Sequence, residues 1–583
     1  MAEAAPKTTQ LKIDRLTYGP DAIARDGDGR AIFVQGAIPG DTVEAEIYEE
    51  GQRFAKAKTV RILEASQMRV KAPCPFVGIC GGCPWGNIRY EAQLEAKRAH
   101  VLDALVRIGH IPQDRAEELV LPCAAPGDPW GYRNKVELAF ARQGKRTIVG
   151  THALDGSVIK VPTCPLLQKG SEKLVKAVSG SVTYLANFHG LTFDRIGIRT
   201  SARTHATEVA LWTSPSAFPR AAAAKVITEG AKVTSLVRVM TKGPQKARKI
   251  AGVECLAGDG FWSERLAHNT MRISAPSFFQ VNTKGAETLV RTVLDWLEPE
   301  EDDEAMDLYC GAGTFTLPLA ERTSFVSAVE SYGPAVRDLS RNLKDSRLEN
   351  VDAIGGDAGR EFPDTDADII VVDPPRAGLA ADVVHQLSEQ PARAIAYVSC
   401  DPATLARDIA RFEEEGTFEV KKMQPVDLFP QSFHVETVAV LSRKSASKSF
   451  IPVSISPKDM GLSEEKEQPT YANICDYVQK THGMKVSSLY VAQMKAECGL
   501  ETQADRSGDK KQPKCPPEKR EAILDAFRHF GLIGEDGTEK FMGMKTLFGA
   551  NRSEPASEQT ADARSVKSAV VPDVLLARSE DLR

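Results

Sequence analysis

Asp307-Leu-Tyr-Cys-Gly-Ala-Gly-Thr314 reads as an apolar strand breaking into a glycine loop, and this stretch decides the fold around it. Gly311 and Gly313 allow a backbone to approach a ligand where a side chain would collide, and the helix expected next offers free N–H groups. The spacing departs from Gly-x-Gly-x-x-Gly, which argues against a dinucleotide. Downstream, a strand over 325–329 ends at Glu330, placed to hydrogen-bond a ribose. Beyond it, Gly355-Gly-Asp-Ala358 puts Asp357 at a third strand end, where a carboxylate can accept from an exocyclic amine. Glycine loop, acid and acid in that order point to S-adenosylmethionine.

Two further strands stop in the same abrupt way. Ile369-Ile-Val-Val372 runs into Asp373-Pro-Pro-Arg-Ala-Gly378, and Tyr397-Val-Ser-Cys-Asp-Pro402 ends on a thiol. Ligands of open α/β sheets bind at the carboxyl ends of strands, so the cofactor loop, Asp373 and Cys400 are expected in one pocket. A helix from Ala403 should place its N-terminus beside Cys400 and lower the thiol pKa. Cys310, among glycines, is expected to pack beneath the cofactor. A nucleophilic thiol beside a methyl donor has a specific use. C5 of uracil is a poor nucleophile; thiolate addition at C6 makes it an enolate, and a base must then remove the C5 proton. Glu436, in Phe429-Pro-Gln-Ser-Phe-His-Val-Glu-Thr437, is the candidate base, with His434 as its competitor.

Length and charge bound the rest. A chain of 583 residues holds several domains. The formal charge is only −5, but residues 131–300 carry 24 Lys+Arg against 13 Asp+Glu, a basic third suited to a polyanion. Met1–Gln10 has no apolar signal region and no run of about 18 apolar residues occurs, so a cytoplasmic protein without a membrane segment is expected. Eleven cysteines in a chain this long fit a reducing compartment better than a disulfide scaffold.

Residues 8–65 read as short strands, with a hairpin signal at Asp26-Gly-Asp-Gly29 and β-type runs at Ala31–Val34 and Thr42–Ile47. A small oligonucleotide-binding-type β-barrel is expected over 1–68. Tyr90 to Ile108 has helical apolar spacing, and strand-like runs such as Val136–Phe140 and Ser235–Met240 make 69–270 an α+β central domain. Residues 271–446 alternate helix (Thr283 to Leu297) and strand (305–309, 325–329, 368–372, 394–399, 435–441), as a doubly wound Rossmann-like domain does. A linker over 447–470, a helical extension over 471–548 and a disordered tail over 549–583 complete the reading.

Tyr132-Arg-Asn-Lys135, Ser277-Phe-Phe-Gln-Val-Asn282, the glycine loop, Asp373–Gly378, Ser399–Pro402 and Phe429–Glu436 occur in a fixed order. With them, residues 8–445 resemble the bacterial 23S rRNA uracil-5 methyltransferases that carry an N-terminal TRAM domain and an iron–sulfur cluster. The resemblance implies Cys400 as nucleophile and Glu436 as base. It implies cofactor contacts from Gln280, Tyr309, Glu330, Asp357 and Asp373, with Thr314 where the family's loop often carries Asn. The substrate implied is 23S rRNA, bound by a monomer. Uracil-5 methylation of tRNA is the runner-up, by enzymes that as a family generally lack the barrel and the cluster. A non-catalytic RNA-binding or assembly protein is the alternative from another class. Phe278 and Phe279 either pack beside the flipped-out base or belong to the core.

Cys74, Cys80 and Cys83 have the spacing Cys-x5-Cys-x2-Cys in a Gly/Pro-rich loop. Four thiolates suit zinc or a [4Fe–4S] centre, and Cys123 or Cys164 is available as the fourth. Thr163-Cys-Pro165 repeats the Cys-Pro context of Cys74 and Cys83. The resemblance selects Cys164 and [4Fe–4S].

Overall fold

The structure, a computed structural model, describes residues 8–144, 146–244, 248–444, 469–498, 500 and 515–534. The expected disordered tail lies outside them, as do most of the linker and the end of the helical extension. Two compact units divide the chain, Met1–Ile451 and Pro452–Arg583.

The first unit begins with a closed five-stranded barrel: β1 (Thr8–Leu16), β2 (Ala22–Arg25), β3 (Ala31–Gln35), β4 (Thr42–Glu50) and β5 (Phe54–Glu64), ordered β1-β2-β3-β5-β4. Alternation turns Leu11, Ile13, Ile32, Val34 and Val43 inward, and Ala22, Ala24, Ala45, Ala55 and Ala57 keep the interior narrow. Asp26 makes the expected hairpin by accepting the Asp28 and Arg30 N–H groups.

Helices α1 (Tyr90–Arg107) and α2 (Gln113–Leu119) follow. They do not build the middle sheet; Val101, Leu105 and Leu119 join the core beneath the catalytic sheet. The middle sheet holds β6 (Lys135–Gln143), β7 (Arg146–His152), β8 (Val158–Ile159), β9 (Arg195–Thr200), β10 (Thr207–Thr213), β11 (Ser235–Lys242) and β12 (Lys249–Gly258), ordered β12-β11-β10-β9-β6-β7-β8. Helices α3 (Leu174–Phe188) and α4 (Arg220–Ala231) bury Val178, Val182, Leu185 and Ile227 with Leu138, Ile196 and Leu211 of that sheet. A hairpin of β13 (Trp262–Leu266) and β14 (Asn269–Ile273) leads into α5 (Thr283–Leu297), whose bounds match the expected helix.

The catalytic sheet is ordered β17-β16-β15-β18-β19-β21-β20, with β15 (Glu304–Leu308), β16 (Phe325–Glu330), β17 (Val351–Gly355), β18 (Ile369–Val372), β19 (Ala394–Ser399), β20 (Phe418–Val426) and β21 (Glu436–Arg443). The first five are parallel; β21 runs antiparallel between β19 and β20. Helices α6 (Thr316–Ala320), α7 (Gly333–Asp345), α8 (Ala381–Glu389) and α9 (Pro402–Glu415) connect the strands. Chain order reverses between β15 and β18, the switch point where such sheets open a ligand crevice. The helix after the glycine loop is short, only five residues.

The second unit packs α10 (Tyr471–His482), α11 (Ser488–Glu497) and α12 (Pro517–His529) around Ile474, Val478, Met494, Ile523 and Phe527. Pro516 and Pro517 open α12, at the N-cap and the first helical position. Cys475, Cys498 and Cys515 pack against this small core. Among the described residues no helix is long and apolar enough to cross a membrane.

Candidate active site

Five strand ends and one loop build the site. The glycine loop leaves β15 with Tyr309 at φ 64°, Gly311 at 58° and Gly313 at 100°. A Cβ on Gly313 would lie 2.4 Å from Leu317, so only glycine lets the loop close on α6. Cys310 is buried with Leu317 and Leu339 under the loop, the packing expected for it. The Gly311 N–H donates to Glu330 Oε2 at 2.9 Å and the Tyr332 N–H to Glu330 Oε1, holding that carboxylate beside the loop.

Acids crowd this crevice. Burial first, with help from Asp373 and Glu330, pushes Asp307 up to about 8, although Thr316 Oγ1 donates to it at 2.6 Å. Asp373 is pushed up to about 7 by burial and then by Glu330. Tyr309 rises to about 12 through burial and then Asp357, its electrostatic neighbour. Gln280 is buried with its side-chain oxygen unpartnered, and Asp307 Oδ1 is likewise unpartnered. Concentrated carboxylates and orphaned acceptors fit a ligand that brings a cation and donor groups, as a sulfonium nucleoside does. Thr314 is half-buried in the loop and Asp357 is exposed past the end of β17. Gln280 is set by neighbours in the middle sheet: Asn134 Nδ2 donates to its carbonyl at 2.9 Å, and Arg199 donates to the carbonyls of Ser274 and Ser277.

Cys400 and Glu436 occupy the other half. Cys400 follows β19, and Glu436 opens the antiparallel β21 beside it, 3% exposed. Each faces Asp373 and Arg376 electrostatically. The lowered thiol pKa expected at Cys400 is not found. Asp401 caps α9, accepting the Ala403 and Thr404 N–H groups, so those donors are spent on a carboxylate. Burial, then Glu436 and Asp373, push the Cys400 thiol up to about 12, with Arg376 acting against them. Burial and then Asp373 likewise raise Glu436 well above the usual carboxylate range. His434, bonded to Arg376 at 2.9 Å, is pushed down to about 3 by burial and then by that guanidinium, which leaves it a weak base. In the ligand-free protein, iodoacetamide alkylation of Cys400, followed on its peptide by mass spectrometry, should be slow at neutral pH. It should then climb about tenfold per pH unit, and Arg376→Ala should slow it further. A rate already at its plateau near neutrality would show a depressed thiol pKa and contradict the burial argument.

Three features went unread in the sequence. Tyr18, on the turn after β1, donates its hydroxyl to the Cys400 carbonyl at 3.1 Å, so the barrel reaches the reacting end of β19. Arg376, inside a stretch that was noted, is the cation facing both Cys400 and Glu436. The loop before Glu436 is clamped: Lys97 pairs with Asp427, Tyr132 Oη donates to the Pro430 carbonyl, and the Trp85 N–H to the Gln431 carbonyl. Of the two phenylalanines, Phe279 takes the core position, edge-on to Trp262, whereas Phe278 is 66% exposed.

Cys74, Cys80 and Cys164 are electrostatic neighbours of Cys83. Burial first, then the thiols of Cys164, Cys80 and Cys74, push Cys83 up. Cys80 Sγ lies 3.3 Å from Thr151 Oγ1, and Gly81 N–H donates to the His152 carbonyl, which docks the loop on β7. Cys123 lies elsewhere, beside Asp427 and Lys97. Among the described residues, no three His, Cys, Asp or Glu side chains are drawn close enough to hold a metal ion. The donors are four thiols with Arg133 as the nearby cation, a set that suits a soft metal centre.

Comparison with known proteins agrees with this geometry. Residues 265–444 match the tRNA (Uracil-5-)-methyltransferase family and residues 7–60 the TRAM domain. An uncharacterized RNA methyltransferase of Gloeobacter violaceus is 35% identical over 451 residues, 75% of this chain and 97% of that protein. This chain belongs to the RNA uracil-5 methyltransferase family. An uncharacterized RNA methyltransferase of Thermosynechococcus vestitus is 32% identical over 445 residues, 75% of this chain and 98% of that one. The fold is shared with the Pyrococcus abyssi tRNA (uracil-54, C5)-methyltransferase solved with S-adenosyl-L-homocysteine: TM-score 0.58, 24% identity, 74% of this chain and all of that one. As a family member the protein is an S-adenosylmethionine-dependent RNA methyltransferase, and its barrel is a TRAM domain.

Proposed function

We propose that the enzyme methylates C5 of a uridine in 23S rRNA through a covalent bond between Cys400 and C6. The observation that carries the reading is the grouping of Cys400, Glu436, Asp373 and Arg376 at the strand ends beside the glycine loop. Arg376 favours the thiolate of Cys400, which adds to C6 and moves electron density to C5. Bound S-adenosylmethionine supplies the electrophilic methyl group and a positive charge. Gln280, Tyr309, Gly311, Gly313, Thr314, Glu330, Asp357 and Asp373 are the residues that would hold it. After transfer, Glu436 takes the C5 proton, the C5–C6 double bond re-forms and the C6–S bond breaks. Burial gives Glu436 the high pKa that makes a carboxylate an effective base.

The resemblance to the 23S rRNA enzymes, carried by the motifs from Tyr132 to Glu436 together with Cys74, Cys80, Cys83 and Cys164, favours the ribosomal substrate. The tRNA reading is second: the P. abyssi enzyme acts on tRNA and shares the fold over 74% of this chain, so architecture alone does not separate the two. Transfer of labelled methyl groups to undermodified 23S rRNA and to unmodified tRNA decides between them. Incorporation into 23S rRNA alone, lost in Cys400→Ala, is expected; incorporation into tRNA alone would overturn the ribosomal assignment.

Cys74, Cys80, Cys83 and Cys164 would hold a [4Fe–4S] cluster, which when bound ties the 74–83 loop covalently to the segment before α3. Anaerobically purified protein should then be brown, with about four irons per chain. Cys→Ser at any of the four should bleach it, whereas Cys123→Ser should not. Colourless protein with one zinc would identify the other soft metal.

A further inference from the structure

Helix α3 of the middle domain shows a surface that the catalytic site does not use. Its buried side is Val175, Val178, Val182 and Leu185. On the opposite side, at successive four-residue steps, stand Lys176, Gly180, Tyr184 and Phe188, all exposed. Phe188 is 74% exposed and Tyr184 45%, and their rings stack at 4.5 Å with 29° between planes. A Cβ at Gly180 would meet nothing within 4 Å, so the helix surface next to the rings is open. An aromatic pair left this bare forfeits the burial that large rings ordinarily gain on folding.

The surroundings are cationic. The β6–β7 hairpin abuts the end of α3: Arg142 donates to the carbonyls of Ala186 and Leu191, and Thr147 Oγ1 to Asn187 Oδ1. Arg146 is exposed at the start of β7, and Lys173 and Lys176 at the start of α3. Glu172, just before the helix, is turned back to accept the Gly170 N–H. A flat ring pair with basic side chains along the same helix and on the adjoining hairpin matches what single-stranded RNA presents, an unstacked base with phosphates on either side. A partner protein docking by apolar contact would meet isolated rings among Asn187, His189 and Gly190 rather than a continuous greasy patch.

We propose that Tyr184 and Phe188 form a stacking platform for an unpaired base of the RNA substrate, outside the catalytic crevice, with Arg146 beside it and Lys176 and Lys173, roughly three to four turns back along α3, on phosphates farther along the strand. The proposal rests on the RNA-modifying role of the family and deepens it. Stacking on a π-face differs from apolar contact, and substitution separates them. Binding of a fluorescein-labelled oligouridylate to the full-length protein is measured by anisotropy. Phe188→Ala and Phe188→Leu should each weaken it roughly tenfold, while Phe188→Trp should bind as the wild type does, its added emission quenched by the RNA. Methyl transfer at saturating RNA should be unchanged in these variants, with KM raised.

Wild-type affinity in Phe188→Leu would overturn the stacking platform, because leucine keeps the apolar surface and loses the ring. Unchanged binding in Phe188→Ala would overturn it too, as would a wild-type dimer in sedimentation velocity that Phe188→Ala dissolves. Failure of the wild type to bind any RNA would instead remove the role on which the platform depends, and the platform with it.

Discussion

Glu436→Gln is expected to accumulate a protein–RNA adduct that survives denaturation, with turnover lowered at least about 100-fold. The variant keeps the shape and hydrogen-bonding capacity of the side chain at the head of β21 while removing its ability to accept a proton. Addition of Cys400 to C6 and methylation at C5 remain possible, so the chain should advance to the methylated adduct and stop. The C6–S bond cannot break until the C5 proton leaves. A shifted band on a denaturing gel, carrying label from the methyl group, reads that species directly, and adding Cys400→Ala should erase it. His434 is a poor substitute base, since burial and Arg376 hold its pKa near 3. Normal turnover without an adduct would mean that another group removes the proton.

Lys97→Ala should have the largest effect on stability, about 3–5 kcal/mol in urea unfolding followed by tryptophan fluorescence. Lys97 on α1 and Asp427 are both fully buried and paired, and the ammonium also donates to the Phe429 carbonyl at 3.1 Å. Deleting the lysine leaves a carboxylate in a low-dielectric interior, with Oδ2 already lacking a partner. The double variant Lys97→Met/Asp427→Leu removes both charges and should recover most of the loss. Function should suffer as well. The pair anchors the loop from Asp427 to Glu436, which Gln93 and Tyr132 also grip at Gln431 and Pro430. Small displacements of a catalytic group cost up to about 100-fold in rate. Stability within 1 kcal/mol of wild type would show that the pair is dispensable.

Local signals carried most of the fold. The helix at Thr283–Leu297 was legible because its apolar face repeats at helical spacing and Asn282 caps it, accepting the Gly285 N–H. The strands β15, β16, β18 and β19 were legible as short apolar runs, since both faces of a parallel sheet are covered. β20 was not. It lies at the sheet edge, and Lys421, Lys422 and Pro425 interrupt any apolar pattern. Within the site, Cys400 and Glu436 were legible because each ends or begins a strand in a distinctive turn. The upward shift of the thiol was not legible, because it comes from burial and from the carboxylates of Glu436 and Asp373, which only the fold brings around Cys400. Tyr18 was out of reach for another reason: its bond to Cys400 joins residues 382 positions apart, and no local pattern encodes that contact. Phe278 and Phe279 differ by one position, and burial alone distinguishes the exposed ring from the core one.

The most direct measurement is mass-spectrometric mapping of 5-methyluridine in 23S rRNA and tRNA from cells with and without the gene, complemented by wild type or Cys400→Ala. Loss of a 5-methyluridine from 23S rRNA, restored by wild type and not by Cys400→Ala, with tRNA unchanged, is the result the proposed function predicts. Restoration by Cys400→Ala would contradict the covalent mechanism, and loss confined to tRNA would contradict the ribosomal substrate.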